Sequence, residues 1–192
     1  MTEITSICLY CGSSPNTRDT HRNAARQFGA MLAHEDITLV FGGGRVGLMG
    51  LAANAALEAG GSVTGVIPNF LVEREVCHRS CTNLYTTTTM HARKQKMAEL
   101  SDAFAILPGG LGTLDEAFEI ITWRQLGLHD KPVALVNIDG YWDPLVTLLN
   151  QMNNENYVPQ LDNGLYSVVS SIEEVLPAFR SMPSGQINPK GK

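Results

Sequence analysis

Acidic side chains crowd a predicted helix start that follows a glycine-rich stretch near the middle of the chain. Residues 108–113 read Pro-Gly-Gly-Leu-Gly-Thr, and Asp115, Glu116 and Glu119 come next. Glycines at a helix start leave its unpaired amides open to an anion, which the positive end of the helix dipole attracts. A phosphate held there would set its sugar beside a carboxylate, an arrangement suited to hydrolysing a phosphorylated sugar. The simpler interpretation is a capping box, with Thr113 as the N-cap and Glu116 three residues later.

A basic pair precedes this segment on another predicted helix. Within residues 90–97, one helical face carries Arg93 and Lys94 between two methionines, and His91 lies off that face as a surface residue. The simple interpretation is that both cations extend past apolar neighbours into solvent. The pair also comes just before the strand that leads into the glycine loop. Arg93 is therefore a candidate to reach the acids or a phosphate, because a guanidinium binds either one through two parallel hydrogen bonds.

Two further loops of small residues follow predicted strands. Residues 11–14 read Cys-Gly-Ser-Ser, and residues 42–47 read Gly-Gly-Gly-Arg-Val-Gly. The second loop matches the G-x-G-x-x-G pattern of dinucleotide-binding proteins, but the next strand ends without the acid that would bind a ribose. A nicotinamide-dependent oxidoreductase is therefore a disfavoured alternative. The loop is either a tight turn or a phosphate contact. The candidate contacts in these two loops are Gly12, Ser13, Gly43 and Gly44.

Short apolar runs alternate with longer amphipathic ones along the whole chain. This alternation predicts βαβ units and an α/β fold, a doubly wound parallel sheet with helices on both faces. The three small-residue loops then meet at the carboxyl edge of the sheet, where such folds bind ligands. The predicted strands are 4–10, 37–41, 63–67, 84–87, 103–107, 133–137 and 165–169. The predicted helices are 18–34, 46–59, 90–100, 114–126, 143–153 and 172–179.

Length and charge limit the classes of function. The 192 residues fit a single domain, predicted over residues 1–180, followed by a flexible C-terminal tail at 181–192. A formal charge of −5 gives no electrostatic basis for binding nucleic acid or an anionic membrane surface. Neither a secretory signal nor a membrane span is recognisable, so we expect a cytoplasmic protein.

The helix predicted after the glycine loop is apolar on two sides. Leu114, Ala117, Phe118 and Ile121 form one stripe, whereas a second stripe continues from the line of the acids. A helix that is apolar on two sides is buried on two sides. One side can cover the sheet, and the other predicts a homodimer with the site near its interface.

Four cysteines fall into two closely spaced pairs. Cys8 and Cys11 form a C-x-x-C motif, and Cys77 and Cys81 form a C-x-x-x-C motif. Two such pairs can bind zinc. Cys8, however, lies inside an apolar run, where a small buried thiol is the usual explanation. Reduced structural thiols are therefore expected, with zinc as the alternative.

These motifs together resemble those of the LOG (Lonely Guy) family, the cytokinin riboside 5′-monophosphate phosphoribohydrolases. The resemblance covers roughly residues 4–179, and its most specific part is residues 108–116, which match the family pattern PGGxGTxxE. Met-His-Ala-Arg-Lys at 90–94, Gly-Leu-Met-Gly at 47–50 and Thr-Trp-Arg-Gln-Leu-Gly at 122–127 support it. Some members were formerly labelled lysine decarboxylases, but nothing in this chain marks a lysine that would bind pyridoxal phosphate.

The resemblance implies a Rossmann-like dimer that cuts the N-glycosidic bond of a nucleoside 5′-monophosphate without a metal or redox cofactor. It places the catalytic pair on Arg93 and Glu116. Glu116 would stabilise the oxocarbenium-like transition state and activate water, and Arg93 would keep Glu116 ionised. The resemblance further implies substrate or phosphate contacts at Glu75, Lys94, Gly109, Gly110, Leu111, Gly112, Thr113, Leu114, Asp115 and Thr122.

Two departures from the family pattern bear on the choice of base. Leu111 stands where many members have an aromatic residue, and Asp115 stands where glutamate is common. Both border the site, so the sequence leaves open whether the substrate is a cytokinin nucleotide or AMP. The proton donor to the leaving base is also not identified. A nucleotide carrier on the same fold, which binds without turnover, is the main alternative function.

Overall fold

The nearly continuous apolar runs of the sequence form the strands of one parallel sheet. A computed structural model describes residues 3–72, 77–158 and 164–183. The sheet has seven strands in the order β4-β3-β2-β1-β5-β6-β7. The strands are β1 Ser6–Tyr10, β2 Thr38–Phe41, β3 Val63–Pro68, β4 Asn83–Thr87, β5 Ala103–Ile106, β6 Val133–Val136 and β7 Ser167–Val169. The helices are α1 Asp19–His34, α2 Gly47–Glu58, α3 Asn69–Val72, α4 Met90–Glu99, α5 Leu111–Gln125, α6 Asp143–Asn154 and α7 Val175–Ser181.

The strand order reverses at β1, in the middle of the sheet. The chain first winds outward from β1 to β4 and then returns to pair β5 with the other side of β1. Cys8 accordingly pairs with Val40 on one side and Phe104 on the other. Connections that diverge to opposite sides leave a crevice at the carboxyl ends of the central strands. The predicted doubly wound α/β fold is confirmed.

Successive side chains of each strand point to opposite faces of the sheet and pack into two core layers, one on each face. Along β1, Ile7 and Leu9 pack in the layer that also contains side chains of α1, α2 and α7. Cys8 and Tyr10 point to the opposite layer, with side chains of α4, α5 and α6. Coverage on both faces explains why these strands are apolar throughout.

All seven predicted strands and six predicted helices are found, with small differences at their ends. Helix α3 and a 3-10 turn at Ile138–Gly140 were not predicted, because segments of four and three residues are too short for a helical period to show. Within the described part of the chain, no helix is long and apolar enough to cross a membrane. The predicted boundary at residue 180 and most of the tail 181–192 stay predictions, because residues 184–192 lie outside the described ones.

The cysteines behave as packing residues. All four are free thiols, and Cys8, Cys11 and Cys77 are buried. Burial raises the pKa of Cys81 to about 11 and that of Cys11 well above its usual value, which favours the neutral thiol over the thiolate that zinc requires. The described residues contain no group of three or more potential metal ligands. The burial of these thiols fits a structural role, which stays a prediction.

Candidate active site

The three small-residue loops converge at the carboxyl edge of β1, β2 and β5. The Gly12 amide donates to the Pro108 carbonyl at 3.0 Å, and the Gly12 carbonyl accepts from the Leu48 amide at 2.9 Å. Gly47 lies so close to the first loop, with φ +65°, that a side chain there would meet the Ser13 backbone at 2.4 Å. Glycine is therefore required at position 47 by both conformation and space.

Helix α5 begins inside the glycine loop and has an uncapped amino end. Its N-cap is Gly110, and no side chain of the described residues accepts a hydrogen bond from its first amides. Apart from chain neighbours and the helix's own backbone, no described heavy atom lies within 4 Å of where a Cβ on Gly110 or Gly112 would stand. The loop therefore offers free amides and a helix dipole to an anion, and the exposed Leu111 lies between the two glycines.

The capping box, the simpler of the two interpretations of this helix start, is wrong. Because α5 starts at Leu111, Thr113 is the third residue of the helix rather than its N-cap, and its side chain is buried. A Cβ on Gly109 would stand 2.1 Å from the Thr113 hydroxyl, so this threonine packs directly against the loop. Glu116 is consequently free of a capping role and has a different partner.

Arg93 and Glu116 form a buried ion pair beside this helix start. The Arg93 Nη1 lies 3.3 Å from the Glu116 Oε1, and the two side chains are 9% and 11% exposed. Arg93 also donates from Nε to the Val66 carbonyl at 3.2 Å and from Nη2 to the Gly42 carbonyl at 3.3 Å. These contacts fix the guanidinium between the ends of β2 and β3, so it does not extend into solvent.

Gly42 is needed because of Arg93. A Cβ at position 42 would stand 1.7 Å from the Arg93 Nη2. The sequence pattern predicted a turn or a phosphate contact at this glycine. The structure shows that position 42 must also leave room for the Arg93 side chain. The carbonyls that receive Arg93 were missed because backbone acceptors leave no signal in residue types.

Burial dominates the ionisation of Glu116. It raises the pKa of this carboxyl to about 7, even though the Arg93 guanidinium lowers it. The neighbouring Asp115 raises the pKa further. Arg93 thus acts in the expected direction but opposes a larger effect of burial, and its role in keeping Glu116 ionised stays a prediction. A carboxyl with this pKa suits general base chemistry, which is most efficient when the pKa lies near the working pH.

Lys94 is engaged by the other acids of α5. Its Nζ lies 3.0 Å from the Asp115 Oδ2 and 3.1 Å from the Glu119 Oε1. Burial lowers the pKa of this ammonium, but the hydrogen bonds to both carboxylates outweigh burial and raise it. Two adjacent cations of α4 therefore contact the acids of α5. Arg93 pairs with Glu116, and Lys94 pairs with Asp115 and Glu119.

The remaining predicted contacts are distributed around this pair. Gly43 has φ +71° at the end of β2, and its carbonyl accepts from the His78 amide, while Gly44 bridges to Cys77. Thr122 lies on the exposed face of α5, two turns beyond Asp115. Glu75 falls outside the described residues. Leu114 is half-buried near the start of α5.

One face of α5 exposes apolar side chains along its length. Leu111 is 87% exposed, Phe118 37% and Leu126 57%, and their spacing places them in one stripe with Asp115 and Thr122. Leu128, just beyond the helix, is 68% exposed. This stripe (Leu111, Phe118, Leu126 and Leu128, called the α5 stripe below) runs from the site to the opposite end of the helix.

The chain is similar to known proteins in both sequence and structure. A family model described as possible lysine decarboxylase matches residues 49–179. Cytokinin riboside 5′-monophosphate phosphoribohydrolase LOG2 of Arabidopsis thaliana is 46% identical over 152 residues, which cover 79% of this chain and 71% of that protein. The probable cytokinin riboside 5′-monophosphate phosphoribohydrolase LOGL1 of Oryza sativa subsp. japonica is 48% identical, covering 79% of this chain and 68% of that protein.

A similar architecture occurs in a solved structure. The molybdenum cofactor binding protein from the phototrophic bacterium Rippkaea orientalis aligns with a TM-score of 0.71 at 24% identity, covering 94% of this chain and 98% of that chain. At this identity the likeness concerns the fold alone.

Proposed function

The chain belongs to the LOG family, and from this premise we propose that it hydrolyses the N-glycosidic bond of a nucleoside 5′-monophosphate to free base and ribose 5-phosphate. The observation that carries the proposal is the buried Arg93–Glu116 pair next to the uncapped start of α5. The first feature supplies a carboxylate for the sugar, and the second supplies amides for its phosphate. The relatives are named as cytokinin riboside 5′-monophosphate phosphoribohydrolases, which supports the proposal.

The phosphate would bind at the start of α5. The amides there have no intrahelical acceptors, and the open space around Gly110 and Gly112 admits an anion. We assign Gly109–Thr113 to the phosphate, with Gly12, Ser13, Gly43 and Gly44 in the adjoining loops. Lys94 would act through Asp115 and Glu119 rather than by a free ammonium, because both carboxylates already engage it.

Glu116 would work beside the anomeric carbon. Cleavage of a ribosyl–base bond develops positive charge on the sugar, which an ionised carboxylate stabilises. The same carboxylate can accept a proton from the attacking water, because its pKa is about 7. Arg93 orients Glu116 through the ion pair and stays in place through its two carbonyl contacts.

The function is tested with purified protein and two nucleotides, AMP and N6-isopentenyladenosine 5′-monophosphate. We expect free base and ribose 5-phosphate to be released in equal amounts, as measured by chromatography. The kcat/KM values for the two nucleotides then show which one is the better substrate. Binding of both nucleotides without release of base would instead identify a carrier. Titration with NAD and NADP, for which no binding is expected, tests the oxidoreductase alternative.

We also propose a homodimer joined through the α5 stripe, because exposed apolar side chains lie in one line next to the site. Analytical ultracentrifugation is expected to give a mass of about twice the 20.8 kDa of one chain. Phe118→Arg places a charge in the stripe and is expected to give monomers. Leu148→Arg, at an exposed apolar position of α6, is the matched control and should leave the dimer intact. A wild-type monomer at micromolar concentration, or dissociation by both variants alike, would contradict this interface.

The free thiols and the net charge bear on the compartment and on the partners of the proposed enzyme. Four free cysteines fit a reducing compartment, and we place the protein in the cytoplasm. A net charge of −5 fits a small-molecule substrate held by local amides better than a nucleic acid partner.

A further inference from the structure

A tyrosine from a distant part of the chain contacts the phosphate loop. The Tyr141 hydroxyl donates to the Gly109 carbonyl at 2.7 Å. The two residues are 32 positions apart, and the turn that carries Tyr141 follows β6, whose carboxyl end lies at the same edge of the sheet as the loop. None of the sequence motifs includes this turn.

The turn that presents Tyr141 is well ordered by its own contacts. Asp139 and Gly140 both have positive φ, 53° and 68°, which forces a tight reversal of the chain. The Asn137 side chain closes the turn, because its Oδ1 accepts from the Trp142 amide at 2.6 Å and its Nδ2 donates to Asp143. A tight, cross-linked turn has little freedom to move its side chains away from the loop.

Aromatic packing fixes the direction of the Tyr141 ring. The ring meets His21 edge-to-face with centroids 5.2 Å apart and meets Trp142 at 4.8 Å. His21 and Trp142 are each 4% exposed, so the Tyr141 ring packs against two buried side chains. The hydroxyl therefore reaches Gly109 from a defined position.

The contact determines which way a peptide group faces. In a trans peptide the carbonyl of one residue and the amide N–H of the next point in opposite directions. With its carbonyl held by Tyr141, Gly109 directs the Gly110 N–H away from the tyrosine. Glycines on both sides would otherwise let this peptide rotate at little cost, and the described residues leave the Cβ position of Gly110 open.

We propose that Tyr141 is a positioning residue that orients the Gly109–Gly110 peptide so that its N–H joins the amides that bind the substrate phosphate. The inference rests on the proposed function, since it names the group that prepares the phosphate site of that same reaction. Tyr141 acts through Gly109 and needs no contact with the base or with the anomeric carbon. Its effect is therefore confined to ligands that carry the phosphate.

The test compares Tyr141→Phe with Tyr166→Phe, which removes the hydroxyl of a half-buried tyrosine outside the site. For Tyr141→Phe we expect the Kd of ribose 5-phosphate, measured by calorimetry, and the KM of the nucleotide to rise about tenfold. Its kcat should stay within about threefold and its Tm within a few degrees of wild type, as a change in one surface hydrogen bond implies. Tyr166→Phe should leave the Kd and KM unchanged.

The outcomes separate the inference from the function on which it rests. A wild-type protein that binds ribose 5-phosphate without cleaving nucleotides overturns the proposed function, and the Kd of Tyr141→Phe still decides the role of the tyrosine. An unchanged Kd in Tyr141→Phe overturns the inference, as does an equal loss of affinity for the nucleoside lacking phosphate. Absence of ribose 5-phosphate binding by the wild-type protein overturns the inference, whereas release of base from the nucleotides still decides the proposed function.

Discussion

Replacing Glu116 by glutamine is expected to lower kcat about 10³-fold while the nucleotide still binds with an affinity close to that of the wild type. Glutamine has the same shape and can still accept from Arg93, so the packing around the buried pair is kept. It carries no negative charge and cannot take a proton from water. Steady-state assays of base release give kcat, and calorimetric titration gives the affinity.

The matched control for this variant is Glu99→Gln. Glu99 is an acid on α4 that contacts Lys96 and accepts a hydrogen bond from Gln95, and the Lys96 and Glu99 side chains are 38% and 52% exposed. The same chemical change there should leave kcat and binding unaltered. Turnover of Glu116→Gln within tenfold of the wild type would contradict the role given to this carboxylate.

Replacing Arg93 by alanine is expected to lower kcat/KM by about 10²-fold or more and to shift the pH dependence of the rate to higher pH. Arg93 lowers the pKa of Glu116, which burial otherwise raises, so removing the guanidinium raises that pKa above about 7. The rate depends on the ionised carboxylate and increases with pH through this pKa. The acidic limb of the profile must therefore move upward. Measurements of kcat/KM from pH 5 to 9 on both proteins test the shift.

Two companion variants separate the charge of Arg93 from its position. Arg93→Lys keeps a cation but loses the forked contacts to the Val66 and Gly42 carbonyls, so an intermediate loss is expected. Gly42→Ala leaves the arginine in the chain but crowds its Nη2, and it should reproduce part of the defect. Lys96→Ala, a more accessible position on the same helix, is the control. An Arg93→Ala profile that coincides with the wild type would show that Glu116 does not sense this guanidinium.

Much of the fold follows from patterns local to the sequence. The strands are short apolar runs because helices cover both faces of the sheet, and the small-residue loops mark the carboxyl ends of its central strands. Parallel strands bring such ends to one edge, which is why Arg93 and Glu116 could be predicted to lie near each other. The pair belongs to helices α4 and α5, which flank β5 in the chain.

The parts that could not be predicted depend on the folded backbone and on contacts between residues that are distant in sequence. Thr113 has the residue type and spacing of an N-cap, yet α5 starts earlier because glycines allow the loop to enter the helix without a side chain to cap it. The ionisation of Glu116 depends on how deeply the folded protein buries it, which residue order does not reveal. Tyr141 meets Gly109 through a backbone carbonyl, and a backbone acceptor has no counterpart in a sequence motif.

Gly12 links two segments at the edge of the crevice. Its amide donates a hydrogen bond to the Pro108 carbonyl, and its carbonyl accepts one from the Leu48 amide. The segments that enter α5 and α2 are therefore both hydrogen-bonded to the same residue. We expect a phosphate bound at the start of α5 to restrain the segment before α2 as well, through Gly12 and through its contacts with Gly43 and Gly44. The short loop after β1 thus joins two segments that lie far apart in the sequence.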